Sequence, residues 1–216
     1  MSPVRQGYGM TEASPVTHMS DPALVKPGAI GPPERRMRDR GHRERIPLGT
    51  NEPGGVWVRG PQVMKGYRNR PDATAATVDG AGWPKTGDIG YVDEDDHLYI
   101  VDRLKELIKY KKLQAAPAEL EAVLPSHPRV FDAAVIGSPD EEAGEVPKAF
   151  VVATGAVSPE EIMAFVAERV APHKKVRRLE FVEEIPKSPS GKILRRLLLE
   201  RERRAAAGEP ASPGSV

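Results

Sequence analysis

The stretch that decides the fold runs Asp102-Arg-Leu-Lys-Glu-Leu-Ile-Lys-Tyr-Lys-Lys-Leu-Gln-Ala-Ala-Pro-Ala-Glu-Leu-Glu121. It is dense in charge and has no sustained apolar stripe until Pro117, which sits where a helix would begin, ahead of Ala118-Glu-Leu-Glu-Ala-Val-Leu. Read alone, such a run is a solvated charged segment. Its place in the chain gives it more meaning, because the patterns on its two sides differ.

Upstream, residues 1–30 are rich in Gly, Ser, Thr and Pro and read as loop with short strands. Val56-Trp-Val-Arg59 reads as a strand and 72–78 as a brief helix opened by Pro71-Asp72. Ile89-Gly-Tyr-Val and Leu98-Tyr-Ile-Val flank the polar turn Asp93-Glu-Asp-Asp-His and predict a hairpin. Downstream, Val130–Ile136, Ala149–Val152 and Leu179–Val182 read as strands. Ser158-Pro-Glu-Glu is a capping box, and Ile162, Met163, Phe165, Val166 and Val170 give the helix behind it an apolar face. Ile193–Arg204 reads as a basic helix, and the Ala/Gly/Pro/Ser-rich end as a disordered tail. Strands and helices mix without strict βαβ alternation. The expected fold class is therefore α+β in two parts, with a boundary near Asp102: residues 1–101, residues 102–203 and a tail at 204–216.

Composition narrows the classes. With 39% hydrophobic residues the chain can bury a core, and a net charge of +1 excludes a strongly basic nucleic-acid-binding protein or an acidic tail protein as a global description. The absence of cysteine excludes disulfide scaffolds, zinc–thiolate sites and thiol catalysis. No apolar run approaches the roughly 20 residues that span a bilayer. The first six residues show no apolar signal-peptide core, so a cytoplasmic location is the expectation.

Four stretches carry chemistry. In Gln6-Gly-Tyr-Gly-Met-Thr-Glu12, two glycines let the backbone approach a flat ligand, Thr11 offers a hydroxyl to a phosphate, and Glu12 offers a hard oxygen to Mg²⁺; the plain alternative is a turn. In Lys85-Thr-Gly-Asp88, one carboxylate can accept both hydroxyls of a ribose; the alternative is a turn-stabilising side chain. In the deciding stretch, Arg103, Lys109 and Gln114 could serve a polar ligand. In Pro186-Lys-Ser-Pro-Ser-Gly-Lys192-Ile-Leu-Arg-Arg, a flexible loop could bring one ammonium to a phosphorus centre; the alternatives are a basic surface loop or a nucleic-acid contact. The Walker pattern Gly-x-x-x-x-Gly-Lys-Ser/Thr does not occur.

In this order, the four stretches resemble the adenylate-forming superfamily of acyl-CoA synthetases, luciferases and peptide-synthetase adenylation domains, and among these the 4-coumarate and long-chain fatty acid ligases. The resemblance runs from Val4 to about Arg196. It implies the β-rich end of a large domain followed by a small mobile α+β domain. Gly7, Tyr8, Gly9, Met10 and Thr11 would contact the adenylate, Glu12 the Mg²⁺, and Asp88 the ribose, with Arg103 beside it. Asp102 to Lys105 would be a hinge. Lys192 would serve adenylation, and Lys109 and Gln114 thioester formation. The implied reaction joins a small carboxylic acid to coenzyme A through acyl-AMP, using ATP and Mg²⁺. No nucleic-acid partner is implied.

Three departures qualify this. The larger N-terminal portion of the family, with its phosphate loop and acyl pocket, has no counterpart here, so the isolated chain is expected to be weakly active or inactive. The alternative is an accessory module that complements a separate N-terminal half or docks a carrier protein. Residues 34–45 hold six Arg against three acids, a local charge of +3, where the family has a strand pair. One back-translation of residues 33–46, shifted by one base, encodes Pro-Asn-Ala-Glu-Cys-Gly-Ile-Val-Asp-Thr-Ala-Ser-Gly, close to the family pattern; a segment read out of frame is one explanation and a genuine polyanion-binding loop the other. Finally, Lys112 stands where the family has Gly, which would hinder the pantetheine arm.

Overall fold

The computed structural model describes residues 5–23, 26–33, 38–43 and 46–206. It divides into two compact units, Met1–Lys105 and Glu106–Val216.

In the first unit, β1 (Gly7–Gly9) pairs antiparallel with β2 (Val16–Met19). A second, antiparallel sheet is built from β3 (Arg38–Arg43), β4 (Ile46–Pro47), β5 (Gly54–Arg59), β6 (Lys85–Val92) and β7 (Leu98–Arg103), in the order β4-β3-β5-β6-β7, with α1 (Pro71–Thr77) between β5 and β6 in the chain. Along β5 burial alternates: Val56 and Val58 are buried and join Leu98 in a small core, with Tyr8, Val92 and Ile100 against it, while Arg59 faces water. The β6–β7 turn is closed by Asp93, whose carboxylate accepts the N–H groups of Asp95 (3.0 Å) and His97 (2.9 Å).

Asp102 and Arg103, expected in the hinge, are strand residues here, in register with Ile89 and Asp88. Part of the Arg-rich segment forms β3, paired with β5 from Arg38↔Arg59 to His42↔Gly55. Its sequence shows no strand period, and the pairing is carried by main-chain hydrogen bonds. Residues 34–37 and 44–45 lie outside the described residues; of the tail expected at 204–216, residues 204–206 are helical instead and 207 onward lies outside the described residues.

The second unit contains β8 (Ile108–Tyr110), β9 (Leu113–Ala115), α2 (Pro117–Val123), β10 (Val130–Asp140), β11 (Gly144–Ala153), α3 (Pro159–Ala167), β12 (Arg178–Phe181) and α4 (Arg195–Ala206). The β10–β11 hairpin is the spine; β12 runs parallel to β11, and β8 meets β11 where Tyr110 pairs with Gly144. Successive residues of the spine point to opposite faces. Ala133, Val135, Ala149 and Val151 pack with Leu120 of α2 and with Ile162 and Val166 of α3. Ala134, Ile136 and Phe150 pack with Ile185 and Leu198, the latter from α4. Each helix starts as its residues dictate: Pro159 fixes φ in the first turn of α3, and Ser158 Oγ accepts the Glu161 N–H at 3.1 Å.

Helix α4 is pinned at both ends by polar contacts. Near its start, Arg195 pairs with Glu106 (2.8 Å) and Glu121 (2.5 Å). Near its end, the buried Glu202 carboxylate accepts hydrogen bonds from Lys148 and from Ser138 Oγ. Burial alone would raise the Glu202 carboxyl, but the Lys148 ammonium and the Ser138 hydroxyl overrule it and hold it below the usual range. A depressed carboxyl contributes stability above its unfolded pKa and loses it as pH falls through the folded one. Glu202→Ala, which strands Lys148 with Glu180 as its remaining partner, is expected to cost about 2–4 kcal/mol and to flatten the acid side of the stability profile, as read by denaturant titration across pH.

Candidate active site

Two site residues of the first unit, Tyr8 and Arg103, meet at Asp88. Gly87 (φ +81°) turns the chain ahead of it, and the Asp88 N–H donates to Thr86 Oγ1 at 3.1 Å. Asp88 and Arg103 are cross-strand neighbours on β6 and β7, with Arg103 Nε 3.4 Å from Asp88 Oδ1. From the N-terminal strand, Tyr8 Oη donates to Asp88 Oδ2 at 2.5 Å across 80 residues of chain. Burial, and then the hydrogen bond to Asp88, push the Tyr8 phenol well above the usual tyrosine range, so it stays a donor at any physiological pH. Each carboxylate oxygen keeps a free lone pair, so Asp88 can still accept from a vicinal diol.

The structure gives Gly9 an internal reason to be glycine. The register slips between Tyr8 and Gly9, and a Cβ at Gly9 would lie 1.8 Å from the Pro15 carbonyl oxygen. Gly7 has room, its nearest neighbour being at 3.8 Å. The Gly-Tyr-Gly pattern thus places Tyr8 by a bulge, before any ligand is considered. Gly7, Gly9 and Thr11 are exposed and Met10 half-buried.

Glu12 has a partner that sequence reasoning missed. Tyr67 Oη donates to Glu12 Oε1 at 2.7 Å, and the Met64 N–H donates to the Glu12 carbonyl at 2.8 Å. The Glu12 hydrogen bond pushes the Tyr67 phenol up. Among the described residues no cluster of three or more metal-ligating side chains occurs. One carboxylate oxygen left open fits Mg²⁺, which takes one or two carboxylates and fills its other positions with phosphate and water.

The other three site residues lie in the second unit. Lys109 and Gln114 are directly paired across the β8–β9 hairpin and both exposed. The stretch read as a solvated charged run is thus a two-residue hairpin, held by Lys109 N–H to Glu145 Oε2 (2.8 Å) and Lys111 N–H to the Ala143 carbonyl (2.7 Å). Its left-handed residue is Lys111 (φ +54°), so the backbone demand for glycine falls one position before Lys112. Lys192 is exposed, with no ion-pair partner among the described residues. Its loop is closed by main-chain hydrogen bonds.

Asp88, restrained by Tyr8 and Arg103, lies in the first unit, and the exposed Lys109 and Lys192 lie in the second. Comparison with known proteins places the chain among adenylate-forming enzymes. Residues 1–68 match the AMP-binding enzyme family and residues 119–192 the AMP-binding enzyme C-terminal domain. The chain is 52% identical over 216 residues to the 4-coumarate–CoA ligase of Vanilla planifolia, covering 96% of this chain and 39% of that protein. It is 51% identical to 4-coumarate–CoA ligase 1 of Glycine max, covering 88% of this chain and 69% of that one. Among solved structures, the o-succinylbenzoate CoA synthetase of Bacillus subtilis, in complex with the acyl-adenylate intermediate OSB-AMP, superposes with a TM-score of 0.83 at 35% identity, over 99% of this chain and 42% of that one. The chain belongs to the AMP-binding, adenylate-forming family, with acyl-CoA ligases as its relatives.

Tyr8→Phe takes the buried donor from Asp88. A loss of about 1–3 kcal/mol is expected on thermal melting, as for a hydrogen bond to a charged group.

Proposed function

We propose that this chain is the carboxyl-terminal part of an ATP-dependent acyl-CoA ligase. The observation that carries the proposal is Asp88, gripped by Tyr8 and Arg103 yet still able to accept a diol. In this reading Asp88 binds the ribose of ATP or AMP, Tyr8 lies against the base, and Gly7, Gly9, Met10 and Thr11 line the adenylate. Glu12, oriented by Tyr67, would hold Mg²⁺, which screens the phosphate charge.

The first half-reaction joins a carboxylate oxygen to the α-phosphorus of ATP and breaks the bond to pyrophosphate. Negative charge grows at that phosphorus, and the Lys192 ammonium stabilises it. In the second half-reaction the thiol of coenzyme A attacks the acyl carbon, AMP leaves, and the thiol proton is released. Lys109 and Gln114, side by side on one hairpin, serve that step. Asp102–Lys105, the last two residues of the site strand β7 and the two that lead from it to the second unit, is the proposed hinge that exchanges the two sets of groups. The proposed substrate is a small carboxylic acid, and the proposed location is the cytoplasm.

The chain spans 39% of the length of the vanilla enzyme, so the proposed activity is that of the assembled whole. A second reading draws on the second unit, whose sheet is covered on both faces by its own helices: a self-contained module that complements a separately supplied N-terminal part. ATP–pyrophosphate exchange tests both. The chain alone is expected to give little or none, and the chain mixed with the remaining part of the vanilla enzyme to restore it only if complementation holds. Fused behind that part, it should be active, and Lys192→Ala should lower exchange about 10²–10³-fold. A near-normal rate from the isolated chain overturns the proposal.

The same fusion tests position 112. Lys112→Gly should raise CoA-dependent turnover and leave pyrophosphate exchange unchanged; turnover that stays the same removes Lys112 as an obstacle.

A further inference from the structure

Both main-chain polar groups of Lys192 end on a single residue. The Lys192 N–H donates to Ser188 Oγ at 3.2 Å, and the Lys192 carbonyl accepts the Ser188 N–H at 2.8 Å. The Ser188 carbonyl in turn accepts the Gly191 N–H at 2.8 Å, and its hydroxyl lies 2.8 Å from Ser190 Oγ. Gly191, at φ +81°, supplies the left-handed step that turns the chain back on Ser188.

The base of this ring is fixed as well. Lys187 bridges to Ile193 in the backbone, and the Leu194 N–H donates to the Pro186 carbonyl at 2.8 Å. Lys187 Nζ meets Asp132 Oδ2 of β10 at 2.5 Å. On either side of the loop, Ile185 and Ile193 sit in the apolar cluster that holds α4 to the sheet. The loop therefore stands on the second unit as a closed ring, with the Lys192 side chain projecting into solvent.

We infer that Ser188 is a positioning residue for Lys192. A lysine has four rotatable side-chain bonds, so its ammonium can be aimed only if the main chain it leaves from is fixed. Here that fixing is done by one hydroxyl and one peptide group of the same serine. The hydroxyl contributes nothing to the apolar cores: its hydrogen bonds, to Ser190 and Lys192, lie within residues 188–192. Ser188 is the point at which the loop is tuned, and a hydroxyl is the feature that position 188 requires. The catalytic meaning of this clasp rests on the role proposed above for Lys192; the clasp itself does not.

The test compares Ser188→Ala and Ser188→Thr in the full chain, by amide hydrogen exchange with residue-resolved NMR. Removing the hydroxyl should speed exchange at the Lys192 amide about five- to tenfold, the worth of one side-chain hydrogen bond, with β10, β11 and the melting temperature unchanged. Ser188→Thr, which keeps the hydroxyl, should restore Lys192 protection to within about twofold. Unaltered Lys192 protection in Ser188→Ala, or failure of threonine to restore it, overturns the inference. In the fused enzyme, Ser188→Ala should lower the maximal rate of pyrophosphate exchange and leave the KM for ATP unchanged. If Lys192→Ala leaves that exchange intact, the functional reading falls while the exchange result at the Lys192 amide stands on its own.

Discussion

The β10–β11 hairpin is apolar on both faces, and the second unit is organised around that fact. A strand that alternates Ala133 and Val135 on one side with Ala134 and Ile136 on the other cannot leave either face wet. Helices α2 and α3 cover one face, and α4 together with Ile185 covers the other. Covering the second face brings the segment that holds Lys192 onto the sheet, since residues 186–194 join Ile185 to α4. The placement of the ammonium is in this sense a by-product of core formation, refined by polar contacts.

Polar contacts do different work in the two units. Around Glu202 and Arg195 the charged groups are paired with one another and hold an element in place. Around Asp88 the matching is deliberately incomplete: the carboxylate is restrained by a phenol and a guanidinium, each from a different strand, but its acceptor capacity is not used up. Lys192, Lys109 and Gln114 are exposed. Burying such an ammonium without a partner would cost it its proton.

Much of the fold was legible from local pattern. The Ile89–Val92 and Leu98–Val101 hairpin, the helix after Ser158-Pro159 and the strands at 130–136 and 149–152 follow from period and punctuation, and all are present. The β8–β9 hairpin was not legible, because a three-residue strand has no room for a period and lysines at 109, 111 and 112 mask what alternation exists. Strand β3 was hidden for a related reason: its register sets Asp39 opposite Val58 and Gly41 opposite Val56, pairs that no strand pattern would suggest. At the site, the residue types at 8, 12, 88, 103 and 192 were readable from motif chemistry. Their partners were not. Tyr67 lies 55 residues from Glu12, and nothing in the local pattern says that the Ser188 hydroxyl and peptide N–H turn back onto Lys192.

One ion pair of the second unit has a mechanical side. Glu106 is the first residue of that unit, and its carboxylate is bonded to Arg195, three residues beyond Lys192. The same guanidinium reaches Glu121, and its side chain is only 17% exposed. The entry of the chain and the root of the loop that carries Lys192 are therefore tied through one guanidinium. Because the coupling is sheltered from solvent, mobile ions screen it poorly, and its stiffness varies little with ionic strength.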